Sequence, residues 1–293
     1  MRVARLLSLN LFVFLAFACL QFAAGGCSSP SAVRRYTSVS TAAGERFSEI
    51  ANDLPGSCQR RERYHLFGQW QSDLDSLDGQ TAEACAKYTR AAPRLVAAHR
   101  VLTRYLAALG KLSAGDLVAY DKPLDEFAKT LVQTDMLGED GIKAVKSISE
   151  VLMEAASGGW RRKQLGAVIE KTNPDIQNLT AVLRGIVAED YAQLLESEAE
   201  AARKFYLGKI RDHREEEPLT AVLVYEKWRK EEDVIESRRE AAGAYVKVLE
   251  RVAAGHQLLY DHRSELDSKD VKKLVLEHVA SIEELVTNVR ALY

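Results

Sequence analysis

From Cys85 to Leu109, side chains that favour burial recur at three- and four-residue steps: Cys85, Tyr88, Ala92, Leu95, Val96, His99, Leu102, Leu106 and Leu109. This spacing draws one stripe along a long helix and does not fit the two-residue alternation of a half-buried strand. The pattern returns down the chain. Ile142, Val145, Ile148, Val151 and Leu152 carry one helix, and Trp160, Leu165, Val168 and Ile169 mark a short segment. Ile176, Leu179, Val182, Leu183, Ile186, Tyr191, Leu194 and Leu195 lead a run from Asp175 to Ile210. Val222, Tyr225, Ile235, Ala242, Tyr245, Leu249 and Val252 continue to about Tyr260. A last helix, capped by Asp267-Ser268, carries Leu274, Val275, His278, Ile282, Leu285, Val286, Val289 and Leu292. No sustained two-residue period occurs. The expected fold class is all-α, an elongated helical bundle.

Breakers set the expected boundaries. Leu54-Pro55-Gly56 closes a first helix over 40–54, and Asp78-Gly79 ends a second over 58–77. Asp121-Lys122-Pro123 opens a helix burying Leu124, Phe127, Leu131 and Val132. Gly138 to Gly141 is a turn, Ser157-Gly158-Gly159 is a stop, and Thr172-Asn173-Pro174 ends the short segment before Asp175. Glu215-Glu216-Glu217-Pro218 reads as a tip, its acids placed where a new helix N-terminus favours them. These signals predict a long C-terminal antiparallel helical hairpin over 175–260. Residues 105–121 match 245–261 at an offset of 140, including Tyr105/Tyr245, Leu109/Leu249 and Gly115/Gly255. Two related halves, about 40–160 and 161–293, would explain the match; coincidence in a helical, Ala/Leu-rich chain is the other reading.

The 293 residues are 47% apolar and 28% charged, which excludes a collagenous or largely disordered chain. A net charge of −2 supplies no basic field for nucleic acid, so no nucleic-acid partner is expected. The sequence lacks the glycine-rich phosphate loops, the Gly-x-Ser-x-Gly elbow and the His-Glu-x-x-His pair of common catalytic sites.

The N-terminus is more specific. Arg2 and Arg5 precede an apolar run, Leu6–Ala24, which ends in Ala23-Ala24-Gly25-Gly26-Cys27-Ser28-Ser29-Pro30. This resembles the bacterial lipoprotein signal, with Ala24 where that signal's lipobox usually has Leu and with Gly26 and Cys27 matching well. The resemblance covers about 30 residues. It implies a signal peptide over 1–26, a diacylglyceryl thioether on Cys27, and a lipidated tether over 27–39. Ser28 after the cysteine implies sorting to the outer membrane of a Gram-negative cell, with the body facing the periplasm. Removing 1–26 takes away Arg2 and Arg5 and no acid, leaving a net charge of −4. Cys19 is a competing cleavage position made poorer by Phe17 and Leu20, and an uncleaved signal anchor is the alternative for the whole segment.

With Cys19 removed and Cys27 lipidated, Cys58 and Cys85 remain, and an even remainder in an exported chain argues for a disulfide. Two buried free thiols are the alternative. A metal site is not expected, because no short-spaced Cys or His completes a ligand set around them. A di-iron bundle needs two Glu-x-x-His pairs, and only Glu62-Arg-Tyr-His65 has that spacing. No cofactor is expected. Asp212-His213 and Asp261-His262 juxtapose possible catalytic groups, but adjacent helical residues face apart, and both lie near predicted helix ends. His99, His256 and His278 sit on apolar stripes and read as core histidines held by a backbone carbonyl or a Tyr hydroxyl. Trp160-Arg-Arg-Lys163 and Lys227-Trp228-Arg229-Lys230 read as solvated helix faces, or as footholds on anionic headgroups or glycan.

The expected function is that of a non-enzymatic, lipid-anchored cell-envelope protein. Its N-terminal lipid holds a membrane and its hairpin face binds a protein partner. The alternatives are a cell-wall or glycan enzyme and a small-ligand or metal-binding bundle; no catalytic residue can be selected for the first.

Overall fold

The computed structural model describes residues 31–44, 47–67, 74–116, 135–158 and 162–291. Among them every regular element is helical and none is a strand, so the all-α class holds. The helices are α1 (Ser31–Gly44), α2 (Phe47–Phe67), α3 (Leu74–Ala84), α4 (Ala86–Ala114) and α5 (Gly138–Gly158), followed by α6 (Leu165–Gly185), α7 (Ala192–His213), α8 (Pro218–Asp261) and α9 (Lys269–Ala291). A π-helical turn, Ile186–Tyr191, joins α6 to α7 and buries Ile186, Val187 and Tyr191. The leader, Cys27, the helix expected at Asp121–Val132 and Trp160 lie outside the described residues. No described helix is long and apolar enough to cross a membrane.

Two expectations at the N-terminal side need correction. The segment 27–39, read as a tether, is helical from Ser31 onward and belongs to the packed body. Its buried face is made mostly of small residues, among them Ala32, Ser40, Ala43 and Gly44, which carry almost no hydropathy signal. They allow close approach instead. A Cβ built on Gly110 of α4 would stand 2.5 Å from Thr37 Oγ1, and one on Gly255 of α8 would stand 2.3 Å from the Tyr36 ring. Tyr36 is fully buried in that contact and donates to the Val252 carbonyl at 2.6 Å. The second correction is that Leu54-Pro55-Gly56 closes nothing; Pro55 lies inside α2, with Leu54, Ser57 and Cys58 buried around it.

Pro174 likewise fails to break α6, and Pro93 lies within α4. A proline cannot donate to the carbonyl four residues earlier. For Pro93 and Pro174 those carbonyls belong to Thr89 and Glu170, both exposed, so water can serve them. Asp78-Gly79 likewise ends no helix but lies inside α3, and Gly138–Gly141, read as a turn, forms the first turn of α5. Pro218 opens α8. Gly115, at φ +84°, ends α4 with its N–H on the Leu112 carbonyl while the Asp116 N–H bonds the Lys111 carbonyl. Ser268 Oγ accepts the Val271 N–H at the start of α9.

Cross-helix pairs give the directions. Asn173 meets Gln257, Gln177 meets the Ala253 carbonyl, Arg184 meets Glu250 and Glu198 meets Arg238. Partner numbers on α8 fall as those on α6 and α7 rise, so α8 runs back along both. The 44 residues of α8 span about 66 Å. Helix α1 packs at the C-terminal part of α8, beside Val252 and Gly255, while residues 218–228 lie at the opposite end.

Candidate functional site

Three groups of residues stand out, and only one faces solvent. The first is a buried polar chain at the centre. His256 is fully buried; its Nδ1 stands 2.8 Å from Asn173 Oδ1 and its Nε2 stands 2.8 Å from the Tyr105 hydroxyl. Since the Asn173 oxygen can only accept, Nδ1 carries the proton and Nε2 accepts from Tyr105, whose oxygen also lies 2.7 Å from the Thr172 hydroxyl. His99 repeats the theme from α4, its Nε2 2.8 Å from the Tyr245 hydroxyl and its ring stacked on Phe47 at 4.7 Å. Burial lowers both imidazoles to about 3, so they are neutral in the folded protein. Burial also pushes the Tyr105 and Tyr245 phenols up. Tyr105 and Tyr245 are among the residues matched at the 140-residue offset, and each holds one histidine. His278 bonds the Arg251 carbonyl at 2.7 Å. All three have the hydroxyl or carbonyl partner expected, but only His99 and His256 are core residues, His278 being half-buried.

The second group is a charged knot at the base of the α7–α8 pair. Glu198, fully buried, accepts from Ser57 Oγ at 2.6 Å and from Arg60 Nε at 2.6 Å. Arg60 also donates to Asp53 at 3.0 Å, Tyr191 donates to Asp53 at 2.8 Å, and Arg238 lies 3.6 Å from both carboxylates. Gly56 leaves the lane that Arg60 occupies: a Cβ there would stand 2.9 Å from the guanidinium. Desolvation opposes the Arg60 charge, but hydrogen bonding and attraction from Glu198 and Asp53 outweigh it and raise its pKa. Two carboxylates and two guanidiniums cancel in charge and occupy one another. The arrangement ties α2 and the π turn to α7 and α8.

The third group is the tip. On α8 Leu219 is 73%, Leu223 63% and Val222 56% exposed, with Tyr225, Val234 and Leu207 of α7 also exposed. At 100° per residue Leu219, Val222 and Leu223 share the face opposite Ala221, Val224, Trp228 and Ile235, which turn inward. Just behind the patch, Tyr64 and Phe67 of α2 pack on Phe205, and Tyr64 also packs on Tyr206. Exposed leucines clustered on one helix face differ from the scattered apolar residues of an ordinary surface.

The remaining sequence candidates find structural partners. Cys58 and Cys85 stand at disulfide distance with Cα atoms 5.8 Å apart, linking α2 to the start of α4. Glu62 bonds Arg61, and His65 is exposed. His262 bonds Glu265 rather than Asp261, which accepts from Gln257. Among the described residues no three His, Cys, Asp or Glu side chains are grouped to hold a metal ion. The groove between α1 and α4, about 480 Å³, is open-sided and lined by Arg34, Thr37, Thr41, Gly110 and Lys111. No protein-family model, curated protein or solved structure matches the chain. Val222 and Tyr225, expected on the buried stripe of this helix, are exposed, and periodicity gave no sign of the exposed Leu219 and Leu223 beside them.

Proposed function

We propose that the chain is a lipid-anchored cell-envelope protein, not an enzyme, that binds a protein partner with the apolar tip of the α7–α8 pair. The observation that carries this reading is the exposed Leu219, Val222 and Leu223 face on the first two turns of α8. A packed interior supports it: the buried histidines and carboxylates outside the tip are taken up by neighbours. Position supports it as well. Cys27, the proposed acylated residue, precedes α1 by four residues, and α1 packs against Val252. From Val252 to Leu219 is about 50 Å of helix, so the patch stands well away from the anchored end. Several acyl chains on one residue give stable anchoring, and the rod carries the patch clear of the headgroups.

A photo-crosslinker at Leu223 in intact cells tests the reading. A discrete protein adduct that disappears with Leu219→Asp supports it, and a tip that forms no protein adduct refutes it.

A further inference from the structure

We infer that the groove between α1 and α4 docks onto the phosphates of anionic lipids in the membrane that holds Cys27. The inference rests on the acyl anchor proposed above and adds an electrostatic attachment beside it. The charge distribution carries it. Asp and Glu make up 42 of the 293 residues, yet α1 and α4, 14 and 29 residues long, contain neither. The same helices carry two and six Lys or Arg. They pack in opposite directions, since Gly110 meets Thr37 while Gly44 meets His99 and Thr103. The start of α1 therefore lies beside the end of α4. There Arg34 and Lys111, both exposed, flank the groove, with Ser38 and Thr41 along its wall. Arg35 points to the other side of α1 and pairs with Glu283 of α9. Among the described residues Arg34 and Lys111 have no acidic partner, and Asp116, just past α4, is the one carboxylate lining the groove. Two cations against one acid leave the groove positive.

Reach decides the occupant. Cys27 and Ser31 are four residue steps apart, at most about 14 Å of extended chain. Acyl chains on Cys27 thus hold the start of α1 within that distance of the headgroup layer, and Arg34 follows within one turn. Cations held at this depth are attracted to an anionic leaflet. Among the described residues no aromatic or large apolar side chain lines the groove, so it suits a hydrated headgroup better than a peptide side chain. Arg100 marks the limit of the contact. It is exposed on α4, eleven residues before Lys111, and stands about 16 Å further along the rod. Acyl chain and headgroup together give the base two attachments, which restrict its tilt and keep the α8 tip directed away from the membrane.

The test uses the full-length acylated protein, extracted from its membrane and reconstituted in phosphatidylcholine vesicles with or without phosphatidylglycerol. A fluorophore on Ala107→Cys, an exposed position lining the groove, reports contact with lipids that carry a nitroxide quencher on the headgroup. Quenching should appear with phosphatidylglycerol and be weak without it. Arg34→Gln combined with Lys111→Gln should lower the docked-to-undocked ratio about 30-fold, the worth of two cations near an anionic surface. Arg34→Lys combined with Lys111→Arg should retain docking, and so should Arg100→Gln. Equal quenching in both vesicles overturns the docking, as does a loss from Arg100→Gln as large as that from the double variant. Flotation with the vesicles reads the anchor separately. Protein that floats without lipid-dependent quenching overturns the docking and keeps the anchor, whereas protein that does not float overturns both.

Discussion

Lowering the pH from 7 to 4.5 should weaken the bundle by an amount traceable to His99 and His256. Each imidazole is neutral in the folded protein, with its pKa lowered by burial from 6.5 to about 3. In the unfolded chain each takes up a proton as the pH falls through 6.5. Between pH 6.5 and 3 the unfolded state therefore binds more protons, and stability rises with pH and falls on acidification. One proton corresponds to about 1.4 kcal/mol per pH unit. Over two units, each histidine removes about 2–3 kcal/mol and the pair about 5 kcal/mol, against a typical total of about 5–15 kcal/mol. The assay is urea unfolding at several pH values for the wild type, His99→Gln and His256→Gln. Removing one imidazole should flatten the plot of stability against pH by about 1.4 kcal/mol per unit between pH 6 and 4. Carboxylates titrate in all three proteins, so comparing slopes isolates the imidazole. Equal slopes would refute the reasoning, because they would mean that the histidines protonate as freely in the fold as outside it.

Four further outcomes are expected. Alkylation of the unreduced protein should leave Cys58 and Cys85 unlabelled, and Cys58→Ser should cost about 3.5 kcal/mol in chemical unfolding for a loop of separation 27. Glu198→Gln should lower stability by about 3 kcal/mol, because Arg60 and Arg238 lose a shared buried charge; a change below 1 kcal/mol would mean that the knot is not needed for folding. Gly110→Ala should cost about 1–3 kcal/mol through its clash with Thr37, and Thr37→Ser should not relieve it because the hydroxyl remains. Cys27→Ala should abolish acyl labelling and release the protein from membranes; retention without acyl labelling would point to a signal anchor instead.

Where burial is made by large apolar side chains, the helices were legible from residue order. The stripe from Cys85 to Leu109 and the helix around Val145 are buried much as their spacing required, and in the last helix Val275 and Ile282 are buried while Leu274, expected on the same face, is exposed. Helix α1 was hidden because its contacts depend on Ala, Ser, Thr and Gly, whose value lies in close approach rather than hydrophobicity. The proline positions misled for a related reason. A missing donor breaks a helix only when the orphaned carbonyl has nowhere to turn and packing is weak, and neither condition can be read from neighbours in sequence. The Glu198 knot joins residues more than 130 positions apart, so no local spacing announces it. At the tip, Val222 and Tyr225 look like core residues on a helical wheel, and only the fold shows them facing outward.

The central claim, that the tip of α8 is the binding face, is tested most directly by matched photo-crosslinkers in intact cells, one at Leu219 and one at Leu274 of α9. Both leucines are exposed, but only Leu219 lies in the apolar tip. A discrete protein adduct from Leu219 and none from Leu274 is the predicted result. Equal labelling from both positions, or an adduct from Leu274 alone, would contradict the account.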